Sequence, residues 1–123
     1  MRTILTVDDS TSMRQMVRAT LQSAGYGVVE AADGQEALEF AQKNTVDLVI
    51  SDVNMPRMDG IKLVSELRAL PSYRLTPLLL LTTESSQEKK LEGKRAGATG
   101  WIVKPFKEHL LLGAVQKLTQ SGS

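Results

Sequence analysis

The stretch Asp47-Leu48-Val49-Ile50-Ser51-Asp52-Val53-Asn54-Met55-Pro56 decides the fold. Its apolar run, Leu48-Val49-Ile50, has the composition of a strand buried on both faces of a sheet. Pro56 and the pair Asp59-Gly60 stop any continuation. Asp52 therefore stands at the carboxyl end of a central parallel strand, the edge at which open α/β sheets hold their ligands. By itself such an Asp is explained as well by a turn as by a site. The other strand ends decide.

Working outward, four more strands are expected at 3–7, 28–30, 77–82 and 100–103. Five helices are expected between and after them. The first is capped by Ser10, Thr11 or Ser12, turns Met13, Val17 and Leu21 inward, and is closed by a glycine of the stretch Ala24-Gly25-Tyr26-Gly27. The second starts at Asp33-Gly34 with Ala37, Leu38 and Ala41 inside. The third starts near Asp59 or Gly60 with Ile61, Val64 and Leu67 inside, and stops before Pro71. The fourth runs from Ser85 or Ser86 to Arg95 and ends at Gly97. The fifth carries Leu111, Val115 and Leu118 before a polar tail from Thr119. Five alternations of strand and helix predict an α/β fold with a doubly wound parallel sheet and right-handed crossovers.

Composition limits the function classes. The chain has 123 residues, 41% hydrophobic and 24% charged, as in an ordinary globular domain. Such a length buries roughly two-thirds of the unfolded-chain surface. A net charge of +1 gives no global attraction for nucleic acid or an anionic membrane. Without cysteine there is neither a disulfide framework nor a thiolate metal site, which is compatible with the expected cytoplasmic location. No apolar run is long enough to span a bilayer. The opening, which runs straight into a strand, is expected to carry no signal peptide.

Set side by side, the strand ends carry Asp8 and Asp9, then Asp52, then Thr82, then Lys104. Carboxylates so close would repel one another, so one takes a raised pKa or the set binds a cation. Oxygen ligands without His or Cys suit Mg²⁺. A Lys contributes a point charge for phosphate and a Thr a hydroxyl donor. These are the parts of phosphoryl transfer, with Asp52 as the acceptor that would form an acyl phosphate.

Val7-Asp8-Asp9-Ser10, Ser51 to Gly60, Leu81-Thr82-Thr83-Glu84 and Val103-Lys104-Pro105-Phe106 together resemble the receiver domain of two-component response regulators. The four motifs occur in order, with 30 positions from Asp52 to Thr82 and 22 from Thr82 to Lys104. The chain looks most like stand-alone regulators of the CheY type, which implies sheet order 2-1-3-4-5 and one receiver domain over 1–123 with no output domain. The resemblance implies that Asp52 is phosphorylated by a histidine kinase or its phosphotransfer domain. It also implies that Asp9, Asp52 and the Asn54 carbonyl ligate Mg²⁺ directly, while Asp8 acts largely through water. Lys104 would pair with the phosphoryl oxygens, Thr82 would move to bond them, and Trp101 would be the switch aromatic. The peptide bond before Pro105 would be cis. Thr83, Asn54 and Glu84 would form the pocket edge, with Thr83 bulkier than the residue common there.

The family implies a monomeric, non-enzymatic switch whose helix 4, strand 5, helix 5 face meets a downstream protein, with the flagellar motor switch as the candidate in chemotaxis. A phosphorelay intermediate is the alternative. A haloacid-dehalogenase-like phosphatase would carry its nucleophile after the first strand with a second Asp two positions on, where this chain has Asn54 after a third-strand Asp52. A flavodoxin-like FMN protein would need a Ser/Thr/Gly phosphate loop in place of the acidic pair. A phosphorylation-independent receiver fold would not need the complete residue set. The charged residues Glu88 to Arg95 and His109 read as surface.

Overall fold

The computed structural model describes residues 2–83 and 87–120. Strands and helices alternate as β1 (Thr3–Val7), α1 (Thr11–Ser23), β2 (Gly27–Ala31), α2 (Gly34–Lys43), β3 (Leu48–Asp52), α3 (Gly60–Arg68), β4 (Leu78–Thr82), α4 (Gln87–Ala96), β5 (Gly100–Val103) and α5 (Glu108–Gln120). Every pairing is parallel, and the order is β2-β1-β3-β4-β5. β3 and β4 are buried along their whole length, as their unbroken apolar runs require.

Alternation along the strands divides the core in two. On one face Leu5, Val7, Val49, Leu78 and Leu80 meet Ala37 and Ala41 of α2 and Leu63, Val64 and Leu67 of α3. On the other, Ile4, Leu48, Ile50, Leu79 and Leu81 meet Val17 and Leu21 of α1 and Leu111 and Val115 of α5. Each buried Leu or Ile contributes roughly 1.5–3 kcal/mol relative to an exposed one.

Side-chain caps start the first three helices. Ser10 Oγ accepts from the Met13 amide, Asp33 Oδ1 from Glu36 and Asp59 Oδ1 from Lys62. Gly25 and Gly97, with φ of +93° and +112°, follow the ends of α1 and α4 as expected.

Four details differ from the sequence reading or fall outside it. In α3 the buried stripe starts at Gly60, so Leu63 takes the inner place and Ile61 lies at its edge. Residues Pro71–Tyr73 form an unforeseen single 3-10 turn, which buries Tyr73 so that its hydroxyl donates to Asn44 O at 2.6 Å. The polar tail does not begin at Thr119. That residue is a buried part of α5, its Oγ1 donating to Val115 O at 2.8 Å, so its polar group is satisfied inside the helix. The expected start of helix 4 at Ser85 or Ser86 lies outside the described residues.

The start of α3 rests directly on the strand end. A Cβ at Gly60 would lie 2.2 Å from Asp52 O and 3.0 Å from Val53 Cα, both backbone atoms that cannot swing aside. Gly60→Ala is therefore expected to destabilise the fold by about 2–3 kcal/mol, the range of a core overpacking. Denaturant unfolding measures this, and an unchanged or higher stability, as the ordinary helix gain of Gly→Ala would give, would contradict the contact.

Candidate functional site

Register brings the predicted residues to one edge. Val7 pairs with Ser51, and the Asp8 amide continues the ladder to Ala31 O at 3.2 Å. Asp52 pairs with Leu81, and the next amide, Val53, donates to Leu81 O at 3.0 Å. Thr82 pairs with Val103, and the Lys104 amide donates to Thr82 O at 2.7 Å. Consecutive parallel strands thus end in Asp8, Asp52, Thr82 and Lys104. Asp8, Asp52 and Thr82 are buried, and Asp9 is exposed at the rim.

Asp8, Asp9 and Asp52 each offer a carboxylate oxygen within 4.8 Å of the others. Lys104 Nζ lies 3.1 Å from Asp52 Oδ1 and 3.6 Å from Asp8 Oδ2. The Lys104–Pro105 peptide bond is cis, as the motif implied. Burial, and after it the negative charge of Asp8, raises the Asp52 pKa above its ordinary value; Lys104 opposes both without cancelling them. Three carboxylates facing one ammonium leave an excess of negative charge. Asp8 Oδ2 is buried without a hydrogen bond. An all-oxygen set with an unsatisfied buried acceptor fits a hard divalent cation.

The remaining predicted residues lie around this centre. Asn54 is exposed two residues beyond Asp52. Thr83 is exposed just past β4, so it sits at the mouth rather than among the buried carboxylates. Glu84 lies outside the described residues. Trp101 is half-buried against the core face shared by α2 and α3, with its Nε1 buried and without a hydrogen bond. Among the residues described in α4, Gly93 alone is buried, and a Cβ there would lie 3.0 Å from Trp101 Cζ3. Exposed Leu91, Val103 and Leu110 lie on α4, β5 and α5, and His109 is a surface residue.

Three residues at or near the site escaped the sequence reading. Arg14 donates to Asp8 O and, at 3.2 Å, to Glu30 Oε1, so it holds the chain that carries the acidic pair. Arg18 pairs with the same Glu30. The spacing of Arg14 and Arg18 on one helix face was a usable signal. Arg57, paired with Asp33, had none, because the two are 24 positions apart. A cavity of about 680 Å³ lies at the opposite end of the sheet, between Arg2, Asp47, Arg74 and Leu75. Its carboxylate is engaged by the Thr3 amide and Arg2.

A parallel five-stranded sheet with an acidic cluster and a Lys at its carboxyl edge defines a receiver-type phosphoacceptor fold. Residues 4–116 match the response regulator receiver domain family, and the chain belongs to that family. It is 37% identical over 122 residues to a chemotaxis protein CheY homolog of Campylobacter jejuni, covering 98% of this chain and 94% of that one. It is similar to the structure of Vibrio cholerae chemotaxis protein CheY4, with 57% identity, a TM-score of 0.92, and 96% and 98% of the two chains covered. It is also similar to the receiver domain of a sensor histidine kinase from Pseudomonas aeruginosa that has a magnesium ion coordinated in its active-site cleft. That match has 31% identity, a TM-score of 0.90, and coverage of 99% and 98%. Among the described residues, no helix is long and apolar enough to cross a membrane.

The raised pKa of Asp52 sets a pH dependence. The folded chain holds this proton more tightly than the unfolded chain, so ionised Asp52 weakens the metal-free fold at neutral pH. The penalty fades as pH falls through the raised value toward the ordinary 3.8. Asp52→Asn is expected to stabilise the metal-free protein at pH 7, because it removes the buried charge that the fold disfavours. Denaturant unfolding across pH should show that gain disappearing in acid, and a gain independent of pH would contradict the assignment.

Proposed function

We propose that Asp52 accepts a phosphoryl group from the phosphohistidine of a histidine kinase or its phosphotransfer domain, and that the phosphorylated chain signals in chemotaxis. The observation that carries this is the cluster of Asp8, Asp9 and Asp52, with ligand oxygens within 4.8 Å and Lys104 Nζ 3.1 Å from Asp52 Oδ1. The chemotaxis reading is supported by the names of the C. jejuni homolog and of V. cholerae CheY4. A relay role is the second reading, supported by the likeness to a receiver domain of a sensor histidine kinase.

In the transfer, a carboxylate oxygen of Asp52 forms the new O–P bond while the N–P bond of the phosphohistidine breaks. The electron pair of that bond leaves on the imidazole nitrogen. Asp9, Asp52 and the Asn54 carbonyl would hold Mg²⁺, with Asp8 acting largely through water, and the ion would supply charge neutralisation for the phosphoryl oxygens. Support comes from the oxygen-only donor set and from the magnesium ion in the P. aeruginosa receiver. Lys104, now paired with Asp52 Oδ1, takes a phosphoryl oxygen as its new partner, and the Thr82 hydroxyl donates to another. The chain transforms no other substrate. It acts as a monomeric cytoplasmic receiver domain whose output is a changed α4, β5, α5 face. Exposed Leu91, Val103 and Leu110 there suit a protein target, with a flagellar motor switch as the chemotaxis candidate.

Incubation with Mg²⁺ and a small phosphodonor should add the mass of one phosphoryl group to the wild-type chain and none to Asp52→Asn. A full gain that survives this substitution would refute the acceptor assignment.

The same reading predicts a fluorescence change. Trp101 is the single tryptophan of the chain, so its emission reports one site. Beryllofluoride, a mimic of the phosphoryl group, is expected to change that emission in the wild type. In Thr82→Ala the mimic should still bind while most of the change is lost. A mutant signal equal to the wild type would show that Thr82 does not couple Asp52 to Trp101.

A further inference from the structure

The loop between β3 and α3 is gripped from outside the acidic cluster. The Met58 amide donates to Pro56 O at 2.7 Å across Arg57, whose φ is +67°, so residues 56–58 form a γ-turn. Arg57 is the one non-glycine residue with positive φ among those described. Such a backbone is strained at a residue with a side chain, and glycine would adopt it without that strain. Arginine stands there instead, and its Nη2 donates to Asp33 Oδ2 at the start of α2.

Asp33 is itself fixed. Its other oxygen, Oδ1, accepts from the Glu36 amide at 2.9 Å, and that bond, followed by Arg57, holds its carboxyl below the ordinary pKa. Next to it the backbones touch, since a Cβ at Gly34 would meet Met58 O at 2.8 Å and Met58 Cβ at 2.9 Å. The far end of the loop is closed by the Gly60 amide on Val53 O at 2.9 Å. Asn54 lies between the two grips.

Magnitudes separate a stabilising role from a positioning one. The Arg57 side chain is 62% exposed, and an exposed ion pair stabilises too little to offset the strained turn. What the pair fixes is where the loop sits. We propose that Arg57 and Asp33 form a clasp between the α2 start and the γ-turn that positions loop 53–59, and with it the Asn54 carbonyl beside Asp52, for cation binding. The last clause rests on the function proposed above. Arg57 is a positioning residue that acts through the backbone.

Arg57→Gly relieves the turn and removes the clasp, whereas Asp33→Ser keeps a helix cap and removes the clasp. In metal-free protein, hydrogen exchange of the Met58 and Gly60 amides is expected to quicken several-fold in both variants. Arg57→Gly should nevertheless melt no lower than wild type. Mg²⁺ titrated by calorimetry should bind about 3–10-fold more weakly, less than the roughly 10–100-fold typical of groups bonded directly to a metal ligand. The double variant should be no worse than either single one, as for two halves of one contact, and Arg57→Lys should recover part of the loss. Unchanged exchange in Arg57→Gly would overturn the clasp. Faster exchange with wild-type Mg²⁺ affinity would overturn its link to the site. A wild-type chain that binds no Mg²⁺ would instead count against the proposed function, because the exchange measurement needs neither metal nor phosphoryl group.

Discussion

Asp8 and Asp52 stand side by side, buried, at the end of a sheet whose strands β3 and β4 are buried along their whole length, and Lys104 is the ammonium within reach of both. Like charges in such surroundings interact far more strongly than in water. The sheet register forces this arrangement, since pairing Val7 with Ser51 and Asp52 with Leu81 leaves the carboxylates nowhere else to go. Lys104 reduces the repulsion without removing it, and the unbonded Oδ2 of Asp8 records the remainder. The edge is therefore a poor piece of structural chemistry and a good receptor for positive charge. The rest of the fold supplies the rigidity that keeps it so.

That rigidity comes from apolar burial and from backbone contact. Gly60 presses α3 onto Asp52 O, and Gly34 presses the α2 start onto Met58. Arg14 ties Asp8 O to Glu30, so the strand end that carries the acidic pair is anchored through α1 to β2. Each contact engages main-chain atoms beside the cluster, while the carboxylates keep partners of their own, the Ser10 amide on Asp8 Oδ1 at 2.9 Å and Lys104 Nζ on Asp52 Oδ1.

The sheet was legible because its signals are local. Leu48-Val49-Ile50 and the run from Leu78 to Leu81 can only be inner strands, and an Asp, Thr or Lys immediately after such a run must reach the carboxyl edge. The cluster of Asp8, Asp9, Asp52 and Lys104 follows from these strand ends together with the sheet order that the family resemblance implies. Packing details were less legible. Gly60 carries no side chain to mark it as part of the inner stripe of α3, so the reading began one residue late and took Ile61 for Leu63. Thr119 looked like tail because its hydroxyl is polar, yet it bonds to Val115 O within the helix. The pairing of Arg57 with Asp33 joins two loops, and no periodic pattern connects them.

α4 obeys a different balance from the other helices. Its residues are charged on nearly every side, and Gly93 is the one buried position among those described, so it lacks the apolar stripe that seats α1, α2 and α3. A mid-helix glycine costs about 1 kcal/mol against Ala, and the space it leaves is filled by the six-membered ring of Trp101. The indole in turn carries, in its five-membered ring, a buried N–H without an acceptor, a deficit of roughly 1–3 kcal/mol. The C-terminal end is better tied, because Arg68 Nε donates to Gly97 O at 3.0 Å while its Nη1 bonds Tyr73 O and Thr76 O. α4 is thus fixed at one end and seated on an unsatisfied indole in the middle. Helices held by few buried apolar contacts open at low free energy. Thr82 pairs with Val103, two residues beyond Trp101 on β5, so this weakly seated helix packs against the same strand that borders the site.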